Sequence, residues 1–181
     1  PDVTITLPAA GVTNNNRPLL TYTVSEGTVT VKVDGTVVNK VSGDTLDTLS
    51  DGAHTVRVEA ENASIITGFA EVTFTVDTAP PTVSITLPAT GETNNSQPLL
   101  AYTVSEGTVT VKVDGSVVNK VSGDTLAALN DGTHIVRLEA TDAAGNTGSA
   151  QVSFTVDTAP PTVSITLPAA GDTERVGRAP A

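Results

Sequence analysis

Hydrophobic and polar residues alternate in short runs along the chain, which predicts β-strands that each bury one face. Residues 83–87 read Val-Ser-Ile-Thr-Leu and show this period clearly. Comparable runs occupy residues 100–104, 109–113, 117–121, 134–140 and 152–156. Asp-Gly pairs at 114–115 and 131–132 predict turns between strands. Residues 125–130 are compatible with either a turn or a short strand. The pattern as a whole predicts an all-β fold.

The same pattern returns after 80 residues. Residues 1–80 align with residues 81–160 without a gap, and 58 of the 80 positions are identical. About seven strands in each repeat, with turns every ~8–12 residues, is typical of an immunoglobulin-like β-sandwich. We therefore predict two tandem sandwiches in a head-to-tail rod. The predicted boundaries are 1–79 for repeat 1, 80–159 for repeat 2, and 160–181 for the first strand of a third repeat plus a non-repeat tail.

The composition narrows the classes of partner. The chain has 9 Lys and Arg against 20 Asp and Glu, a formal net charge of −11 that disfavours nucleic acid and anionic lipid as partners. No apolar run approaches the ~20 residues of a membrane helix, so we expect no membrane insertion within this segment. The absence of Cys excludes disulfides, thiolate metal sites and cysteine nucleophiles. The absence of Met leads us to expect that the sequence is a segment of a longer protein.

Three segments resemble the tandem Ig-like repeats of large bacterial cell-surface proteins and adhesins. They are residues 104–111 (Val-Ser-Glu-Gly-Thr-Val-Thr-Val), residues 130–146, and residues 154–161 (Phe-Thr-Val-Asp-Thr-Ala-Pro-Pro). The resemblance covers nearly all of residues 1–171. It implies an extracellular structural protein whose partners are the neighbouring repeats of the same chain. It also implies structural Ca²⁺, because several members of this group bind Ca²⁺ where neighbouring domains meet.

The order of the strands predicts where such an ion would lie. If the strands run up and down, loops 105–107 and 142–146 share one end of repeat 2, and the linker 77–81 enters at that end, which we call the leading pole. The side chains expected to converge there are Asp77, Glu106, Asp142 and Asn146. Ca²⁺ takes six to eight oxygen ligands, and unpaired carboxylates at close range repel unless a cation joins them. The alternative is a polar turn whose glycine adopts a left-handed conformation.

Repeat 1 differs from repeat 2 in the corresponding loop. Residues 62–66 read Asn-Ala-Ser-Ile-Ile, so the aspartate of repeat 2 becomes Asn and its asparagine becomes Ile. We therefore expect calcium binding at the leading pole of repeat 1 to be weak or absent. Ile65, Ile66 and Phe69 form a small apolar patch there. Two interpretations of the patch remain open, namely extra core packing and contact with a preceding module.

Signatures of catalysis are missing from the sequence. His54 and His134 lie 80 residues apart in different repeats, so we expect each to begin a strand and neither to share a metal or a triad. Phosphate-binding loops, nucleophile elbows and HExxH motifs are absent. The five aromatic residues fall mostly at predicted inward positions, which leaves no platform for stacking on sugars or single-stranded nucleic acid. We expect no enzymatic activity.

Three functions are compatible with these features. The first is a spacer of a bacterial extracellular surface protein or adhesin, in which rigid Pro-Pro linkers at 79–81 and 159–161 join repeats of fixed length and project a distal functional domain. The second is a subunit of a filament or oligomer, assembled by exchange of the orphan strand 161–167. The third is a carbohydrate-binding accessory module of a secreted enzyme.

Overall fold

A computed structural model describes residues 1–165 of the protein, and all of its regular elements are β-strands. The strands of repeat 1 are β1 (Val3–Leu7), β2 (Gly11–Thr13), β3 (Thr21–Val24), β4 (Thr28–Val33), β5 (Thr36–Val38), β6 (Gly52–Glu61) and β7 (Thr67–Val76). Those of repeat 2 are β8 (Val83–Leu87), β9 (Gly91–Thr93), β10 (Ala101–Val104), β11 (Thr108–Val113), β12 (Ser116–Val118), β13 (Gly132–Thr141) and β14 (Thr147–Val156). The predicted all-β fold with seven strands in each repeat is confirmed.

Each repeat packs a two-stranded sheet against a five-stranded sheet. In repeat 1, β1 pairs with β3, and the larger sheet has the order β2-β7-β6-β4-β5. Repeat 2 has the same arrangement, with β8 paired to β10 and the order β12-β11-β13-β14-β9. The short strands β2 and β9 run parallel to β7 and β14, whereas the other pairs are antiparallel. The two repeats are therefore tandem β-sandwiches, as the strand pattern predicts.

Each sandwich has a core of its own, formed by aliphatic side chains and one phenylalanine. In repeat 1 the buried cluster is Leu20, Val31, Leu46, Val56, Val58, Phe74 and Val76. In repeat 2 it is Leu100, Val111, Leu126, Val136, Leu138, Val152, Phe154 and Val156. The last strand of repeat 2 directs Val152, Phe154 and Val156 into this core. Burial of this apolar surface is the main stabilising term, because the chain has no disulfide.

The structure decides the segment that the sequence left open, residues 125–130, and differs from the predicted strands in two places. Residues 125–130 form no strand, and only an isolated bridge joins Leu99 to Thr125, while Leu126 points into the core. Strand β12 ends at Val118 because the chain then turns, with the Val121 amide donating to the Asp124 carboxylate at 2.9 Å. Strands β2 and β9 carry no hydrophobic alternation, since they are three-residue edge strands whose pairing is made by the backbone.

The segment predicted to begin a third repeat is only partly within the described residues. Residues 161–165 adopt no regular structure there, and Val163 and Ile165 are 87% and 80% exposed. The rest of the predicted strand, residues 166–167, and the non-repeat tail lie outside the described residues. No helix in the described part of the chain has the length and apolar character needed to cross a bilayer.

Candidate metal site at the junction of the repeats

The linker between the repeats is hydrogen-bonded to repeat 1 and packed against repeat 2. The Asp77 amide donates to the Thr13 carbonyl at 2.9 Å, which extends the pairing of β2 with β7 by one residue. The amide and hydroxyl of Thr78 donate to one carboxylate oxygen of Asp51 at 3.0 and 2.9 Å. On the other side, the Pro81 carbonyl lies so close to Gly148 that a Cβ atom at this glycine would overlap it. The chain thus enters repeat 2 along a restrained path.

This path brings three carboxylates together at the leading pole of repeat 2. Asp77 comes from the linker, Glu106 from the turn between β10 and β11, and Asp142 from the loop between β13 and β14. One carboxylate oxygen from each lies within 4.8 Å of the other two. Asp142 is 8% exposed, Asp77 is half-buried and Glu106 is exposed. The strand-order argument therefore placed these three residues in the right relation to one another.

Asn146, the fourth predicted residue, connects the loop to the linker. Its side-chain amide donates to the Asp77 carbonyl and to Oδ2 of Asp142, both at 2.8 Å. Its backbone amide donates to Oδ1 of Asp142 at 2.8 Å. Burial would raise the pKa of Asp142, but hydrogen bonds from Asn146 and from the backbone of Gly145 and Ala144 outweigh it and hold this pKa below its usual value. The loop is therefore organised around an ionised aspartate.

The donor set at this pole has the chemistry that Ca²⁺ prefers. All three convergent side chains offer hard carboxylate oxygens, and the cluster contains no imidazole or thiolate. Rotation of the Asn146 amide would present an oxygen in place of the nitrogen. The polar turn that was the alternative is also present, with Gly145 at φ 91°, so the turn and the cluster are one structure. Calcium binding by these residues stays a prediction.

The leading pole of repeat 1 has the same loop but not the same charges. Asn62 takes the place of Asp142, and its side-chain amide donates to Glu26 at 3.1 Å. Its Oδ1 accepts the amides of Ser64 and Ile66 at 3.1 and 3.0 Å. Oε1 of Glu26 also lies 3.9 Å from the backbone nitrogen of Pro1. Among residues 1–165, the cluster of repeat 2 is the one group of three or more His, Asp or Glu side chains at metal-binding distance.

The apolar patch of repeat 1 is on the surface, so the interpretation as extra core packing is wrong. Ile65, Ile66 and Phe69 are 77%, 57% and 59% exposed. The two isoleucines lie in the loop between β6 and β7. Phe69 lies on the outer face of the five-stranded sheet, where the Arg57 guanidinium stacks on its ring at 3.6 Å. Contact of the patch with a preceding module stays a prediction.

The two histidines form a structural clamp at the opposite end of each repeat. In repeat 1 the His54 ring contacts the Asp34 carboxylate through Nδ1 and the Ser50 carbonyl through Nε2, both at 2.7 Å. Both partners are acceptors, so the cationic ring, which carries hydrogen on both nitrogens, is the form that satisfies both contacts. The hydrogen bond with Asp34 and then the one with Ser50 raise the pKa of His54 above its ordinary 6.5.

Repeat 2 has the same clamp, formed by His134, Asp114 and the Asn130 carbonyl at 2.7 and 2.8 Å. Sequence reasoning placed both histidines correctly at strand starts but missed their carboxylate partners. An Asp-Gly turn lies 20 residues upstream of each histidine, and this signal could have identified the partners. The turn follows the strand that pairs with the histidine's own strand, so its aspartate lies close to the histidine.

Comparison with known proteins agrees with this architecture. Residues 85–158 match the family model of a bacterial Ig-like domain, which confirms the resemblance found in the sequence for repeat 2. The chain is 36% identical to halomucin of Haloquadratum walsbyi in an alignment of 124 residues that covers 62% of this chain, and it spans about 1% of the length of that protein.

Solved structures of modular β-proteins are also similar. The Clostridium thermocellum CbhA fibronectin(III)-like modules are 19% identical, with a TM-score of 0.49, and the match covers 86% of this chain and 94% of that one. The Drosophila N-cadherin EC1-4 structure is 15% identical, with a TM-score of 0.35, and the match covers 87% of this chain and 50% of that one.

Proposed function

We propose that this chain is a non-catalytic spacer segment of a bacterial extracellular surface protein or adhesin, which projects a distal functional domain. Its repeats add fixed lengths, and Ca²⁺ at the junction of repeats 1 and 2 stiffens the stalk. The match to a bacterial Ig-like domain and the tandem arrangement of two sandwiches support this role.

The observation that carries the proposal is the restrained linker. A flexible connection would leave residues 77–81 solvated, whereas here Asp77 contacts both repeats through its backbone, by its amide to Thr13 and its carbonyl to Asn146. Pro80 and Pro81 further limit the torsion angles of this segment. The exit of repeat 2 repeats the scheme, since the Asp157 amide donates to the Thr93 carbonyl at 2.9 Å. A linker restrained in this way would fix the orientation of one repeat relative to the next.

Calcium would stabilise the junction by binding the linker and two loops of repeat 2 at the same time. Three carboxylates from the linker and two loops of repeat 2 meet within 4.8 Å, and a divalent cation would offset their mutual repulsion. Because Asp77 follows the last strand of repeat 1, binding there would couple the end of one sandwich to the beginning of the next. Six or more oxygens are needed, so water and backbone carbonyls would supply the remaining ligands.

Small-angle scattering coupled to size-exclusion chromatography tests the spacer role. We expect an elongated monomer whose maximum dimension does not change with protein concentration. Added Ca²⁺ should narrow the distribution of interdomain distances without a change in mass. A compact pair of sandwiches, or a mass that grows with concentration, would contradict the proposal.

Thermal unfolding in Ca²⁺ and in chelator tests the metal. A ligand that binds only the folded state at 100 times its dissociation constant contributes about 2.7 kcal/mol. We therefore expect a melting temperature several degrees higher in Ca²⁺, with Mg²⁺ at the same concentration as the control, because Mg²⁺ gives up its water reluctantly. Equal melting temperatures in Ca²⁺ and chelator would remove calcium from the proposal and leave the spacer role to the scattering test.

A second candidate is self-assembly through the segment after repeat 2. It is favoured by the exposure of Val163 and Ile165, at 87% and 80%, in a segment identical in sequence to residues 81–87. Such a strand could pair with a sheet in another molecule. In the same scattering experiment, assembly that disappears in the variant V163K/I165K would favour this candidate, whereas a wild-type chain that stays monomeric would exclude it.

A further inference from the structure

We propose that the leading pole of repeat 1 is a docking surface for the trailing pole of a preceding copy of the same 80-residue Ig-like repeat, and that this junction needs no metal. The trailing pole is the opposite end of the sandwich, where β2 and β7 finish. The proposal deepens the spacer function and rests on it, because it assumes that repeats meet end to end. It assigns to the stalk a second, apolar kind of junction.

The first step is the equivalence of positions between the repeats. Ile65 and Ile66 correspond to Gly145 and Asn146, at an offset of 80 residues. In repeat 2 this loop faces repeat 1, since a Cβ atom added to Gly145 would lie 3.8 Å from the side-chain nitrogen of Asn14. The Asn146 side chain donates to the Asp77 carbonyl at 2.8 Å. A side chain at either position therefore meets the trailing pole of a preceding repeat.

The second step is the chemistry of the loop in repeat 1. Within five residues, the aspartate that organises the ionic cluster becomes Asn62, and the two positions that face the preceding repeat become isoleucines. Repeat 1 therefore lacks both the carboxylate that could bind a cation and the asparagine that contacts the preceding repeat. Apolar side chains take the place of the polar contact. Ile65 also has φ 60°, a left-handed conformation that is unfavourable for a β-branched residue. The exposed pair is held in the conformation in which repeat 2 contacts its neighbour.

The third step is the surface that would receive the isoleucines. Asn14 lies between Thr13 and Asn15, and both of these residues line an open hollow of about 320 Å³. Its apolar walls include Leu7, Val12 and Leu19, which are 40%, 47% and 43% exposed. Repeat 2 has a corresponding hollow of about 380 Å³ that includes Leu87 and Leu99. The trailing pole thus offers exposed apolar surface next to the point that the loop contacts.

A loop exchange in the intact chain tests whether such a loop docks without metal. The variant D142N/A144S/G145I/N146I places the loop sequence of repeat 1 at the existing junction. In chelator, we expect hydrogen exchange of the backbone at residues 13–15 to be severalfold slower than in the wild type under the same conditions. Exchange as fast as in the wild type would overturn the proposal. The variant N146I, which keeps Gly145 and so avoids the backbone strain, should change exchange in the same direction.

A fused chain tests the leading pole of repeat 1 directly. A further copy of residues 81–160 placed ahead of Pro1 in the full chain keeps the period of 80 residues and the Ala-Pro-Pro linker. We expect hydroxyl-radical oxidation of Ile65 and Ile66 to fall severalfold in chelator relative to the unfused chain. Unchanged oxidation would overturn the proposal. If the melting temperature of the wild-type chain does not respond to Ca²⁺, only the calcium site is contradicted. The loop exchange and the fused chain are both measured in chelator, so their results do not depend on calcium.

Discussion

The leading poles of the two repeats have the same backbone and different chemistry. In repeat 1 the amides of Asn62 and Ile65 donate to the carbonyls of Ile66 and Asn62, both at 3.0 Å. In repeat 2 the corresponding bonds, from Asp142 to Asn146 and from Gly145 to Asp142, measure 3.1 and 3.3 Å. Asn and Asp both accept hydrogen bonds from the same turn, so the loop keeps its shape when one replaces the other. The fold is thus independent of the side chains that face the neighbouring module.

This comparison shows how a repeated domain can vary its junctions. The strands and cores of the two repeats correspond residue by residue, with Val31 opposite Val58 in repeat 1 and Val111 opposite Leu138 in repeat 2. The differences in the leading loop do not reach these cores. The chemistry of a junction can therefore change without altering the packing of the core behind it, and the following substitutions test this separation.

The largest effect is expected from a methyl group at the linker contact. In G148A, the added Cβ meets the Pro81 carbonyl, which the linker and β8 hold from both sides, so we expect repeat 2 to lose about 3 kcal/mol of stability. The matched variant G68A meets the Pro1 carbonyl at the equivalent position of repeat 1, and should also destabilise its repeat, by about 1–3 kcal/mol. Hydrogen exchange of the core strands of each repeat measures both values. A loss well below 1 kcal/mol in G148A would show that the Pro81 carbonyl moves aside and that the linker is not restrained.

The next effect concerns the charge at position 142. In D142N the loop should keep its turn, as Asn62 does in repeat 1, but the cluster loses one of its three carboxylates. We expect the Ca²⁺-dependent rise in melting temperature to disappear. The reciprocal variant N62D adds a carboxylate near Glu26 only, so it should not create a calcium response. A calcium response that survives in D142N would mean that the ion binds elsewhere.

A smaller effect, equal in the two repeats, is expected from pH. The contact with Asp34 and the Ser50 carbonyl raises the folded-state pKa of His54, and Asp114 and the Asn130 carbonyl do the same for His134. A raised histidine pKa stabilises the fold fully below the ordinary value of 6.5, and this stability is lost as pH rises through the folded pKa. Melting temperatures in chelator should therefore fall by a few degrees between about pH 6 and about pH 9.

The variant H54Q/H134Q is the control for this pH dependence, because glutamine keeps a donor but does not titrate. Its melting temperature should be flatter over the same range. If the wild type is equally flat, the histidines are not cationic in the folded state. Because both repeats have the clamp, the pH response should appear in each of them, unlike the calcium response.

The smallest effect is expected on the outer sheet face. Arg57 stacks on Phe69 at 3.6 Å in repeat 1, whereas repeat 2 has Ser149 at the equivalent position. F69S should lower the stability of repeat 1 by about 0.5–1 kcal/mol, the usual contribution of an exposed cation–π contact. S149F should stabilise repeat 2 by a similar amount, since Arg137 occupies the position of Arg57. Urea unfolding of the intact chain measures both changes, and a stabilising F69S would contradict the contact.

Some strands and contacts of this protein were predictable from the sequence, and others were not. Strands with two-residue alternation, such as β8 and β14, were predictable because one face of each must be buried. Strand β9 was not, because its three residues are recruited by β14 through backbone pairing alone. The convergence of Asp77, Glu106 and Asp142 followed from strand order, since loops at one end of a sandwich must be neighbours. The exposed position of Phe69 could not be predicted, because its contact with Arg57 depends on which face of the five-stranded sheet remains exposed to solvent.

The sequence by itself determined the period, the strand content and the list of side chains available at each pole. Local alternation and an 80-residue repeat carry this information without any knowledge of long-range contacts. Only the tertiary structure decided that the isoleucines of repeat 1 lie on the surface and that each histidine is paired with a carboxylate. Both facts depend on residues brought together across the sheets, where solvent exposure and hydrogen-bond partners are set by packing and not by neighbours in the chain.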